Sequence, residues 1–124
     1  MAKPRIITIP QKSEKLAELV RILLGDGSIC KTNYEIQITS HSIHEKLYQD
    51  YIEILLSDLF GVKGRRIVFK NVNTTYIRVN SIRLLEFLES IEMPIGTKEK
   101  KIPAWIFENE EWVKACVRGL IDSD

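Results

Sequence analysis

Between Val62 and Leu85 the chain carries six basic residues, Lys63, Arg65, Arg66, Lys70, Arg78 and Arg83, and no acid. Most of them stand in two short stretches, 65–70 and 75–80, where β-branched and aromatic residues alternate with polar ones. Period-two alternation describes a strand with one face buried and one exposed. On that reading Ile67 and Phe69 face one side while Arg66, Val68 and Lys70 face the other. Ile77 and Val79 face a core while Tyr76, Arg78 and Asn80 face out. A third stretch, Tyr34 to Thr39, turns Ile36 and Ile38 inward and Glu35, Gln37 and Thr39 outward. The shared outer face is then rich in hydrogen-bonding groups and poor in apolar ones. Ribbons of this kind fit the DNA major groove, where arginine and lysine read guanine and glutamine and asparagine read adenine. Lys31 and Arg65, beside the same stretches, complete the set of expected DNA contacts. An ordinary solvated sheet face is the alternative.

The elements that must position these residues follow from the rest of the chain. Its 124 residues suffice for one domain with a real core. The net charge is only +1, yet it is unevenly spread: His44 to Phe60 holds Glu45, Asp50, Glu53 and Asp58 against one lysine. Such an asymmetry suits a polyanionic partner or two solvated faces of opposite sign. No apolar run of membrane-spanning length is present, and MAKPRIITIP is too polar and short for a signal peptide. Cys30 and Cys116 lack metal-type spacing and read as reduced thiols of a cytoplasmic protein.

Ser13 caps an expected helix ending near Gly25, with Leu16, Leu19, Val20 and Leu23 on its apolar stripe. A strand near Ile29 pairs with Tyr34–Thr39 through Lys31-Thr32-Asn33. Ser42 to Phe60 reads as a long amphipathic helix with the stripe Leu47, Tyr48, Tyr51, Ile52, Leu55, Leu56 and Leu59, stopped by Gly61. The second hairpin turns through Asn71-Val72-Asn73-Thr74. A third helix spans Ile82 to Ile91, an extended lysine-rich connection covers 92–104, and Asn109 caps a last helix. The order α-ββ-α-ββ-α-α predicts an α+β fold with helices on one face of a four-stranded antiparallel sheet. The expected division is an N-terminal extension (1–12), an αββαββα half-domain (13–92), a basic linker (93–108) and a final helix (109–124).

Two segments then stand out together. The first helix ends Leu19-Val20-Arg21-Ile22-Leu23-Leu24-Gly25-Asp26-Gly27, and the last ends Val117-Arg118-Gly119-Leu120-Ile121-Asp122-Ser123-Asp124. Both resemble the signature helix of the LAGLIDADG (DOD-type) homing endonucleases of archaeal introns and inteins, the second most closely over GLIDSD. Lys101-Ile102-Pro103-Ala104-Trp105-Ile106 is similar to that family's approach to its second motif, and Ile38-Thr39-Ser40-His41-Ser42 to its strand-to-helix junction. The two copies lie about 98 positions apart and bracket the αββαββα unit.

The resemblance implies site-specific cleavage of double-stranded DNA, a Mg²⁺-dependent hydrolysis of phosphodiester bonds. It implies that the motif helices pack side by side through Leu19, Ile22, Leu23, Cys116, Gly119 and Leu120. It makes Asp26 and Asp124 the metal-binding catalytic acids. Two helix C-termini, each with about half a negative charge, would favour a cation there. His41, at the junction, becomes a candidate for positioning water, and Lys70 and Lys98 become candidates for phosphate contact. Arg21 departs from the family's small residue at the helix contact and must find a partner, such as Asp122, or point along the groove. The family continues with a second half, so a missing C-terminal half or a homodimer is the expected completion. The competing expectation is a nucleic-acid-binding protein of the same fold that does not cut, maturase-like or regulatory, or an inactive remnant.

Overall fold

The computed structural model describes residues 6–40, 45–96 and 100–122, the side chains of 118–122 excepted. Helix α1 (Glu14–Asp26) runs directly into strand β1 (Gly27–Cys30), which turns into β2 (Glu35–Ser40). Helix α2 (Lys46–Phe60) leads to β3 (Arg65–Phe69), a 3-10 turn at Lys70–Val72, and β4 (Thr74–Asn80). Helix α3 (Ile82–Ser90), a 3-10 turn at Ala104–Glu108 and helix α4 (Glu110–Asp122) follow. The fold is α+β, and its one sheet is antiparallel throughout with strand order β1-β2-β4-β3. Among the described residues no helix is long and apolar enough to cross a membrane.

Local chemistry accounts for the boundaries. The Ser13 hydroxyl accepts from the Leu16 amide, and the Ser81 hydroxyl from the Leu84 amide, each satisfying an orphan donor of a first turn. The Asn109 Oδ1 accepts from the Glu111 amide at 2.8 Å to start α4. Gly61, at φ 70°, closes α2 in the left-handed conformation, and its amide bonds the Ser57 carbonyl. Tyr34, expected to begin β2, instead takes φ 51° in the preceding turn and stands 42% exposed. Leu47, expected on the α2 stripe, is 87% exposed, and the stripe proper is Ile52, Leu55, Leu56, Leu59 and Phe60.

The core lies between the helices and one face of the sheet. Ile29, Ile36, Ile38, Ile77 and Val79 cover the sheet side, and Leu16, Leu19, Val20, Leu23, Ile52, Leu56, Leu84 and Leu88 come from the helices. Each buried branched side chain contributes about 1.5–3 kcal/mol. Residues 93–108 belong to this core: Met93, Ile95, Trp105 and Ile106 are buried in it. The Trp105 indole donates to the Ile91 carbonyl at 2.9 Å and meets Trp112 edge-on.

Strand β3 differs from expectation by one residue of facing. Arg65 pairs with Arg78, Arg66 with Ile77 and Ile67 with Tyr76, so Arg66 and Val68 point to the helix side, while Arg65, Ile67 and Phe69 point outward. The run Ile67-Val68-Phe69 is apolar at every position and carries no alternation to set the register. Tertiary charge does: the Arg66 guanidinium bonds both Asp50 and Glu53 of α2. Lys70 leaves the strand altogether for the 3-10 turn at the hairpin tip.

Candidate nucleic-acid interface and the acidic end of helix α1

The outer sheet face is built by register. Gln37 lies between Ser28 and Arg78, Thr39 opposite Tyr76, and Glu35 opposite Asn80. Arg78 Nε donates to Gln37 Oε1 at 2.7 Å, its guanidinium lies 3.6 Å from Glu35, and it covers the Tyr76 ring at 5.5 Å. Arg65 donates to Asn80 Oδ1 at 2.8 Å, and Asn80 donates in turn to the Asn33 carbonyl. Phe69 meets Tyr76 edge-to-face at 5.2 Å. The described outer face thus carries two arginines against one glutamate, with planar amides and guanidinia held in orientation.

Of the expected DNA contacts, Gln37, Thr39, Arg65, Tyr76, Arg78 and Asn80 share this face. Arg66 does not, because α2's carboxylates hold it on the opposite side. Lys31 sits in the β1–β2 turn and reaches toward Glu89 of α3 at 3.7 Å. Lys98 and His41 lie outside the described residues. Sequence alternation missed Ile67 and Phe69 on this face, and nothing in an all-apolar triplet signals them.

At the other end of β1, helices α1 and α4 pack against each other, with Leu19, Ile22 and Leu23 of α1 and Cys116 of α4 buried. The face of α1 toward α4 is thereby occupied within the chain. Gly119 and Leu120 fall within α4, but their side chains are outside the described residues, as is Asp124. Asp26 is the last residue of α1, half-buried, and its Oδ2 accepts from the Tyr48 hydroxyl at 3.0 Å. Burial pushes the Tyr48 phenol far up, the Asp26 charge and hydrogen bond add to that, Glu45 adds further, and Arg21 pulls slightly back. Glu45 also accepts from Ser40, which Gln49 donates to.

Arg21 curls along its own helix. A Cβ built on Gly25 would lie 2.9 Å from Arg21 Nη1. The Arg21 Nε is buried and has no hydrogen-bond partner among the described residues. Burial raises the Cys116 thiol above its ordinary range while the nearby Arg21 charge draws it partly back. Lys100 Nζ donates to the Gly27 carbonyl at 3.1 Å. A hard carboxylate at a negative helix end is a suitable donor for Mg²⁺, which commonly takes one or two carboxylates and keeps several waters. No cluster of three potential metal ligands exists among the described residues, so Asp26 is the one such donor described at this helix end.

No family model matches the chain, and no curated protein matches it.

Proposed function

We propose that this chain is a double-stranded-DNA-binding protein of the LAGLIDADG homing-endonuclease type, with Asp26 and Asp124 as the acids of a Mg²⁺-dependent phosphodiester cleavage site. The observation that carries the reading is the pairing of α1 and α4, the two helices that end in the motif, beneath an antiparallel sheet whose far face is open and net basic. In this reading Arg65, Gln37, Arg78 and Asn80 meet base edges in the major groove. Asp26 holds the metal through its carboxylate, and Tyr48 fixes that carboxylate's orientation by donating to Oδ2. Bound there, Mg²⁺ would supply an activated water and stabilise the leaving oxygen.

The test is a random-sequence plasmid library incubated with Mg²⁺ and sequenced at its nicked ends. Nicks at a defined site with the wild type, lost in Asp26→Asn, are the expected outcome. Absence of nicking, or nicking indifferent to that substitution, removes the cleavage reading.

One observation favours a second reading, a protein of this fold that binds nucleic acid without cutting. Arg21 places a fixed positive charge about one turn before Asp26, where it competes with a metal ion for the same negative end. Duplex binding that weakens steeply with salt, in the absence of any nicking, would select it.

A further inference from the structure

A cleft of about 310 Å³ opens between α1, α4 and the chain at 100–102, lined by Arg21, Leu24, Lys100, Ile102, Cys116 and Val117. Its volume falls at the lower end of small-ligand sites. Its chemistry is uneven: four apolar side chains and two cations, with no acid among the described lining residues. Arg21 is the anomaly. A half-buried guanidinium whose Nε is sealed from water, with no partner among the described residues, is costly, because a desolvated charge needs a group of opposite sign. The ion pairs found elsewhere in the protein show what the chain does when it satisfies such a group: Arg66 has two carboxylates.

We infer that this cleft is an anion site in which Arg21 and Lys100 hold a phosphate group, with Leu24, Ile102 and Val117 against the apolar body that carries it. The planar fork of arginine suits two phosphate oxygens, and lysine adds a mobile point charge. The C-terminus of α1 opposes an anion with about half a negative charge, but two full positive charges outweigh it. Lys100 uses one of its three donors on the Gly27 carbonyl, leaving two for a ligand. The site does not depend on DNA cleavage. A phosphate reaches it either on a small phosphorylated molecule or as part of a nucleic-acid backbone.

The experiment follows the thermal unfolding midpoint of the whole chain in inorganic phosphate, against chloride at matched ionic strength. Phosphate should raise the wild-type midpoint beyond the chloride control. Arg21→Met should start at or above the wild type, being rid of an unpaired cation, and should no longer respond to phosphate. Lys100→Met should lose part of the response. Equal phosphate shifts in wild type and Arg21→Met, or no shift beyond chloride, overturn the site. Should Arg21→Met fail to fold, Arg21→Lys serves: it keeps the charge, loses the fork, and should weaken phosphate binding measured directly by calorimetry. An unweakened affinity in that variant also overturns the site. The source is read from binding to a random-sequence duplex. A salt slope lowered by about 1 in Arg21→Met assigns the phosphate to DNA. An unchanged slope beside an abolished phosphate response assigns it to a small phosphorylated ligand.

Discussion

The Tyr48 hydroxyl donates to Asp26 Oδ2 across 3.0 Å, tying the first turn of α2 to the last residue of α1. The contact spans 22 positions of sequence and joins the proposed metal-binding acid to the helix behind the sheet. It holds a charged group in a half-buried setting, where hydrogen bonds to ions are worth more than neutral ones.

Tyr48→Phe should therefore cost about 1.5–3 kcal/mol in denaturant unfolding. A loss below the error of that measurement would show the contact to be incidental. The raised phenol also sets a pH dependence. Tyr48 binds its proton more tightly folded than unfolded, so its contribution is complete below the ordinary phenol value of 10.0 and declines as pH rises above it. Ultraviolet titration should show a late tyrosinate step in the wild type that Tyr48→Phe lacks.

Arg65 and Arg78 should behave unlike Arg66 although all three lie on paired strands. Arg65→Gln with Arg78→Gln should weaken duplex binding and lower its salt slope by about one for each phosphate no longer neutralised. Arg66→Met should leave binding unchanged and cost about 1–3 kcal/mol of stability, since Asp50 and Glu53 are left facing each other without their cation. Gel-shift titrations at several salt concentrations beside urea unfolding separate the two; weakened binding in Arg66→Met alone would refute the observed facing.

Gly25 and Gly27 should part company on substitution by alanine. A Cβ at Gly27 would fall 2.8 Å from the Leu23 Cα and 2.9 Å from its carbonyl oxygen, both backbone atoms that cannot yield. Gly27→Ala should cost about 1–3 kcal/mol. At Gly25 the obstacle is only the end of the Arg21 side chain, and alanine gains up to about 1 kcal/mol of helix propensity. Thermal unfolding should place Gly25→Ala at or above the wild type, and the reverse ranking would contradict the packing at this helix end.

Trp105→Ala should destabilise by about 3–5 kcal/mol. The side chain is 3% exposed, bonds the Ile91 carbonyl and packs on Trp112, so it fastens the connection before α4 to the end of α3. A loss under about 1 kcal/mol would mean that residues 93–108 tether α4 without belonging to the core.

The helix caps at Ser13, Ser81, Asn109 and Gly61, the strands around Ile36, Ile38, Ile77 and Val79, and the order of elements are all legible in the chain. They depend on interactions within a few residues and on hydrophobic period, which a linear string carries in full. The α+β class with a four-stranded antiparallel sheet follows from them. What tertiary structure alone decided is where such local signals are silent. Ile67-Val68-Phe69 has no period, so the carboxylates of α2 chose the face of Arg66 from 16 and 13 positions away. Tyr34 has the residue type of a strand's first position, and the turn takes it instead. Tyr48 reads as one more member of an apolar stripe, because a hydroxyl's partner is set by where α1 ends and not by the residues beside it. Arg21 reads as a misfit in a helix contact, and packing gives it a cleft, with Lys100 brought in by a connection whose path only the core determines.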